Sequence, residues 1–284
     1  MKSVDLAVFD LDNTLYDWYA SFLPAFYSMV DAATSILCCD RELLLDQLRS
    51  IHVRHHDVEH PYSLLETPIV QQLLGNNARE VLDPALHAFN KARKDNLRLF
   101  PDVRETLKEL ERRNIKLVAF TDSSYFAALR RIRQLELVDA FTHIFCRAKS
   151  ESNLANKPFV AEPKDRLPAI TIELPADEAK PDPRVLLDIA RAENIGISSI
   201  AYIGDSISRD ILMAKRAGCL AIWAKYGVRR DPEMYERLVR ISHWTDEDIR
   251  REKNFANEAA AIVPDITCER SVAEILPFLR GPVS

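Results

Sequence analysis

Short apolar runs that stop abruptly at polar residues recur along the chain and set its frame. Val4-Asp5-Leu6-Ala7-Val8-Phe9 runs into Asp10-Leu11-Asp12-Asn13-Thr14, and Leu117-Val118-Ala119-Phe120 runs into Thr121-Asp122-Ser123-Ser124. Ser199-Ile200-Ala201-Tyr202-Ile203 ends in Gly204-Asp205-Ser206, and a further run covers Leu220 to Trp223 after Ala214, Ala217 and Gly218. Brief continuous apolar runs bounded by turn-formers read as strands buried on both faces. Between them the period changes: Val185, Leu186, Ile189 and Ala190 repeat at helical spacing just after Lys180-Pro181-Asp182-Pro183, where proline suits a helix start. Strands alternating with helices predict a parallel α/β sheet.

Residues from about Leu15 to Leu97 carry a helical pattern instead, with one apolar stripe through Phe22, Phe26, Met29 and Val30 and another through Leu43, Leu44, Leu45 and Leu48. This divides the chain into a core of residues 1–14 and 98–284 and a smaller helical unit of residues 15–97, the core resuming at Phe100-Pro101-Asp102-Val103. The connection over residues 147–177 is long, and Thr171-Ile172-Glu173-Leu174 within it reads as a short extra strand. Near the C-terminus, Thr245-Asp246-Glu247-Asp248 reads as an N-cap with acids in the first turn, opening a charged helix to about Ala261. Ser271 to Leu279 reads as a last helix packing Val272, Ile275, Leu276 and Leu279, with Pro277 able to shorten it. Trp223, Trp244 and Tyr235 read as core or interface aromatics.

The chemistry gathers at the strand ends. Asp10 and Asp12 stand two positions apart where a strand meets its loop, and clustered carboxylates repel unless a cation or a shared proton relieves them. Taken alone, the pair reads first as an N-cap or a loop-solvating pair. In a parallel α/β sheet, however, each strand's exit and each helix start lie at one carboxyl edge, where ligands bind. Asp10, Thr121 and Asp205 share that edge, Asp210 follows Asp205 by five positions, and Lys180 precedes a helix feeding the next strand. An acid pair, a hydroxyl, a lysine and a second acid pair converging there point to a site for a hard cation and a phosphate. Zinc would want His or Cys at the strand ends instead.

His52, His55, His56 and His60 concentrate four of the seven histidines in the helical unit. If that segment is helical, His52, His56 and His60 share one face. A solvated face is the preferred reading, ahead of substrate recognition with Arg54 or Arg93 and of a metal site.

Composition fits a soluble enzyme. A length of 284 residues, 47% of them hydrophobic, supports one large core plus a smaller domain, and no apolar run approaches the roughly 20 residues of a membrane span. Asp5, Asp10 and Asp12 interrupt the N-terminal apolar stretch, so no signal peptide is expected. Five cysteines, with only Cys38 and Cys39 adjacent, form no disulfide framework or metal pattern, and a reducing cytoplasm is the expected setting. A net charge of −5 argues against nonspecific nucleic-acid binding. The sequence leaves the oligomeric state open.

With these motifs in order, the chain resembles the haloacid dehalogenase-like hydrolase superfamily. The Asp-x-Asp-x-Thr signature is Asp10, Asp12 and Thr14; the strand-end hydroxyl is Thr121; the lysine is Lys180; and Gly-Asp-x-x-x-x-Asp is Gly204, Asp205 and Asp210. The resemblance implies a Rossmann-like parallel sheet with helices on both faces, plus a smaller α-helical cap domain over the site. It implies a Mg²⁺-dependent phosphatase of a small phosphorylated metabolite, with Asp10 as the nucleophile that forms an aspartyl-phosphate and Asp12 as general acid, then base. Mg²⁺ would be held by Asp10, the Asp12 main-chain carbonyl and Asp205, with Asp210 in support; Thr121 would bind the phosphoryl group, and Lys180 would neutralise Asp10 and a phosphoryl oxygen. The acid at position 12 argues against carbon–halogen cleavage, because the dehalogenase branch lacks it. Phosphoryl transfer to a second hydroxyl and a non-catalytic ligand-binding role are the alternatives. Two features depart from the family pattern: Asp122 stands where many relatives carry asparagine, and the connection between Arg147 and Asp177 is unusually long, with a Lys157-Pro158 that mimics the lysine motif. Lys180 is preferred over Lys157 because only it is followed by a helix and then the Asp205 strand.

Overall fold

The computed structural model describes residues 1–147, 171–174, 179–228 and 231–282. After a two-residue strand β1 (Lys2–Ser3), the strands β2 (Leu6–Phe9), β3 (Lys116–Ser124), β4 (His143–Arg147), β5 (Thr171–Leu174), β6 (Ile200–Gly204), β7 (Leu220–Ala224) and β8 (Ile266–Cys268) build one parallel sheet. Their order is β5-β4-β3-β2-β6-β7-β8. The apolar runs are strands because each is covered twice. Ala7 and Phe9 face Leu107, Leu110 and Ile132 on one side, while Leu6 and Val8 face Val185, Leu186 and Ile189 on the other, the period-two alternation of a pleated strand. Thr171–Leu174 pairs with β4 as the edge strand, as its pattern suggested. The Lys157-Pro158 alternative lies outside the described residues.

Register decides what meets at the carboxyl edge. Phe9 sits opposite Ala119 on β3 and opposite Ile203 on β6. The residues that follow, Asp10, Thr121 and Asp205, therefore leave three adjacent strands side by side.

Helices Trp18–Leu37, Arg41–His55, Pro68–Leu74 and Asp83–Asn96 fill most of the stretch between β2 and β3. Asp17 and Asp40 cap the first two by accepting from the backbone N–H of Ala20 and Leu43 at 2.9 and 2.8 Å, satisfying donors that a helix start leaves orphaned. Phe22, Phe26, Met29 and Val30 pack with Leu44, Leu45 and Leu48 in a core of their own. Leu43 points outward and is 45% exposed, since three successive leucines on a helix cannot share one face. That core also takes in Leu238 and Ile241 from a helix at Pro232–Ile241, so a segment C-terminal to most of the sheet docks on the inserted helices.

The histidines correct the expectation of a solvated face. Helix Arg41–His55 ends at His56, which adopts a left-handed conformation with φ 49°, so His60 lies outside it. His52 is completely buried. Its Nδ1 donates to the Ile241 carbonyl at 2.7 Å, because a carbonyl oxygen can only accept. His55 pairs with Glu66 at 2.7 Å. Burial pushes His52 down to about 4, the Ile241 carbonyl opposing. A lowered value means that the stability of the state with a buried neutral ring is fully present above its ordinary pKa near 6.5 and is lost as the pH falls from there to about 4. The expected loss between pH 7 and pH 4.5 is about 2 kcal/mol, checked by urea unfolding at those two values on the wild type beside His52→Gln, whose acid sensitivity should be smaller.

The C-terminus departs as well. Ser271 to Leu279 holds only a 3-10 turn at Val272–Ile275, followed by strand β9 (Leu279–Arg280) pairing with β1. Pro277 cannot supply the N–H a continuing helix needs, and strand pairing then seats Leu279 in the core. The Thr245 cap forms as its pattern suggested, a capping box with Asp248 at the start of helix Asp246–Ala259.

Candidate active site

Asp10 leaves β2 buried, at 4% exposure. Its backbone N–H donates to the Ile203 carbonyl at 2.8 Å, extending the β2–β6 ladder by one bond. Its two carboxylate oxygens have different partners: Lys180 Nζ donates to Oδ1, and Thr14 Oγ1 donates to Oδ2 at 2.8 Å. Lys180, 9% exposed, also reaches Asp210 Oδ1 at 2.7 Å. Burial works against the lysine's charge, but Asp10, then Asp210 and Asp122, outweigh it and hold the ammonium protonated. Burial pushes Asp10 up to about 7; Lys180 pulls it down, while Asp210 and Asp12 push it up.

Asp210 sits on a π-turn at Ile207–Ile211 that enters helix Leu212–Ala217, a local widening common at functional sites. Ser206 N donates to its Oδ2 at 2.9 Å and Tyr202 Oη to its Oδ1 at 2.8 Å. Gly204 makes room for this approach, since a Cβ there would overlap the Asp210 side chain. Gly204→Ala is expected to displace Asp210, lowering stability by about 1–3 kcal/mol. Thermal melting beside a cation-binding titration checks this; unchanged cation affinity would show that Asp210 had not moved.

Asp205 is anchored through its backbone carbonyl, which accepts from Trp223 Nε1 at 2.7 Å. Burial, then Asp210 and Asp10, drive its carboxyl well above the carboxylate range, against Lys180. One oxygen from each of Asp10, Asp205 and Asp210 falls within 4.8 Å of the others. Three hard oxygen donors at that spacing, two of them pushed up chiefly by burial, fit a small divalent cation such as Mg²⁺. Thr121 is buried, and its Oγ1 accepts from Ser123 N at 3.1 Å, leaving its own proton to donate. The structure thus brings Asp10, Asp12, Thr121, Lys180, Asp205 and Asp210 to one cleft of about 420 Å³.

Sequence reasoning noted Asp122 without its partners and missed other neighbours of this group. Asp122, the departure from asparagine, accepts from the Lys180 backbone N–H at 3.3 Å and from Arg209 Nη2 at 2.8 Å, so it pins the lysine segment. Ser123 and Arg131 both bond Asp12. Trp244, read as core or interface, lines the cleft with Trp18, Tyr19, His56 and His243. The Asp-Ser-Ser sequence after Thr121 was a visible signal for polar neighbours; Arg131 and Trp244 carried none.

The model for haloacid dehalogenase-like hydrolases matches residues 4–218. The chain belongs to this family. A glyceraldehyde 3-phosphate phosphatase of Methanopyrus kandleri is 22% identical over 242 residues, 81% of this chain and 88% of that relative. A phosphoglycolate phosphatase of Neisseria meningitidis is 26% identical over 236 residues, 80% of this chain and 83% of the relative. Among solved structures, a 2-haloacid dehalogenase from Pseudomonas syringae pv. Tomato matches at TM-score 0.58 and 20% identity over 97% of both chains. A haloacid dehalogenase-family phosphatase from Thermococcus onnurineus matches at TM-score 0.55 and 18% identity, over 98% of this chain and 97% of its own. At these identities the structural likeness speaks to the shared fold. Among the described residues no helix is long and apolar enough to cross a membrane.

Proposed function

We propose that this haloacid dehalogenase-like hydrolase is a Mg²⁺-dependent phosphatase that cleaves a small phosphorylated metabolite through an aspartyl-phosphate on Asp10. One observation carries the reading: a buried carboxylate held by a buried lysine faces two further acids, with a second acid, Asp12, on the same loop. An anionic nucleophile can approach an anionic ester only where fixed positive charge offsets the repulsion. Asp10 attacks phosphorus in line, the bond to the leaving oxygen breaks, and Asp12 delivers a proton to that oxygen. Water then attacks the acyl phosphate, with Asp12 accepting its proton.

The geometry supports this division. Asp12 Oδ2 is engaged by Ser123 and Arg131, while Oδ1 is buried without a hydrogen-bond partner and is the atom assigned to proton transfer. Thr121 donates to a phosphoryl oxygen, and Lys180 neutralises both nucleophile and phosphate. Asp10, Asp205 and the Asp12 main-chain carbonyl would hold the Mg²⁺, with Asp210 in support. Bound there, the ion would supply charge compensation at the phosphoryl oxygens. The inserted helices of residues 15–97 serve as a cap over the cleft that excludes water and selects the substrate, a reading supported by His56 and Val58 on the cleft wall. The cytoplasm remains the expected compartment. The named phosphatase relatives support this reaction class, and the choice of metabolite is assigned to the cap.

Phosphate release from an aryl phosphate and a panel of phosphorylated metabolites, with Mg²⁺ or chelator, tests the proposal. The expected result is Mg²⁺-dependent release, with oxygen from labelled water in every phosphate. Phosphoryl groups appearing on a second hydroxyl instead would identify a transferase, and no turnover of any ester by Mg²⁺-loaded protein would reject the reading.

A further inference from the structure

Arg131, on the helix Tyr125–Gln134 that follows β3, is a charged side chain held deep in the protein, 4% exposed. It faces two acids from different parts of the chain. Nη1 donates to Glu59 Oε2 at 2.6 Å, and Nη2 lies 3.2 Å from Asp12 Oδ2. The same Nη2 donates to Ser123 Oγ at 2.7 Å. With its lone pair so engaged, the serine hydroxyl turns its proton to Asp12 Oδ2 at 2.6 Å. Glu59 belongs to the inserted stretch, between helix Arg41–His55 and the 3-10 turn Pro61–Glu66. Its other oxygen accepts from Trp18 Nε1 at 3.1 Å, and its backbone N–H donates to Asp57 Oδ1 at 2.8 Å. Both carboxylate oxygens of Glu59 are occupied, so it is built to hold Arg131 rather than to receive a ligand, although it lines the cleft.

We infer that Arg131 is a positioning residue that makes the orientation of Asp12 depend on the seating of the inserted helices, through the bridge Glu59–Arg131–Asp12. The inference rests on the phosphatase reading for the role of Asp12. With the bridge intact, Oδ2 is clamped and Oδ1 is the oxygen left to exchange a proton with the leaving group. A cap displaced from its seat takes Glu59 away, leaves Arg131 half-paired in a buried site, and frees the guanidinium and Asp12 to rotate. Proton donation then becomes available only while the cap covers the cleft, which ties chemistry to substrate enclosure without any contact between Glu59 and the substrate.

Leaving-group dependence separates this role from simple structural support. Cleavage of p-nitrophenyl phosphate expels a weakly basic phenolate and needs little help from an acid, whereas an alkyl phosphate expels an alkoxide and needs the proton. The quantity read is the ratio of kcat/KM for the alkyl ester to that for the aryl ester, which is independent of the fraction of folded enzyme. Glu59→Ala is expected to lower this ratio by about tenfold or more, part of the range that general acid catalysis supplies. Glu59→Gln keeps an acceptor for Arg131 and should stay within about threefold of wild type. Arg131→Lys, which cannot fork to both acids, should resemble Glu59→Ala. An unchanged ratio in Glu59→Ala and Arg131→Lys, with both esters slowed alike, overturns the inference and leaves the phosphatase reading standing. Absence of Asp10-dependent turnover in the wild type removes both.

Discussion

Asp10→Asn is expected to abolish turnover, lowering kcat by at least about 10⁴-fold, because loss of a nucleophile removes the covalent route and leaves only binding and electrostatics. The substitution is nearly isosteric, and the amide can still donate or accept where Lys180 and Thr14 now bond the carboxylate. Stability should hold or rise. Burial pushes Asp10 up to about 7, so the folded state takes up a proton that the unfolded chain releases near 4, and stability falls as the pH rises through that window. The asparagine variant lacks this titration. Its melting temperature at pH 8 should therefore equal or exceed that of metal-free wild type. Steady-state phosphate release and thermal melting on the same preparation check both halves; a stable variant retaining more than about 1% of wild-type kcat removes Asp10 from the nucleophile's role.

Lys180→Ala is expected to be costly in both stability and rate. It strips the ammonium from between Asp10 and Asp210, two buried carboxylates that it bridges, and breaking one side of a buried ionic cluster typically costs about 3–5 kcal/mol. Part of that loss is recovered at low pH, where protonation of the acids replaces the missing charge. Mg²⁺ should recover part of it at neutral pH through the Asp10, Asp205 and Asp210 oxygens. The rate should fall by about 10²–10³-fold even in saturating Mg²⁺, the effect of removing a preorganised charge at a reacting oxygen. Lys180→Arg should rescue little, since a planar guanidinium is not a compact ammonium and does not replace it between Asp10 and Asp210. Urea unfolding with and without Mg²⁺, beside kcat, reads this out; a Lys180→Ala variant with wild-type kcat would contradict the electrostatic role.

The sheet and the acid cluster were legible because burial on both faces writes itself as uninterrupted apolar runs. Leu6–Phe9 and Ile200–Gly204 have every residue buried, so their ends, and the acids that follow them, could be placed from sequence alone. The cap at Thr245 and Asp248 was legible because its partners lie three positions apart in the chain. The rest depended on contacts between distant segments. His52 looks like one histidine among several until the Pro232–Ile241 helix lays the Ile241 carbonyl against it, 189 positions away. Arg131 resembles any arginine on a surface helix until Glu59, 72 positions earlier, arrives from the inserted stretch. The C-terminal apolar spacing through Val272, Ile275 and Leu279 fits a helix equally well, and only strand pairing with Lys2–Ser3 decides against it. Gly204 could be matched to a motif, but its physical necessity lies in the Asp210 side chain that fills the space a Cβ would occupy.

The central claim is that phosphorus passes through Asp10. Its most direct test is acid quenching of Mg²⁺-loaded wild type during turnover, followed by peptic digestion and mass spectrometry of the peptide holding residues 10–14. One phosphoryl group on Asp10, present during turnover and absent after substrate is exhausted, is the result predicted here. Turnover at full rate with no phosphoryl group on that peptide, or with one on a different residue, would contradict it.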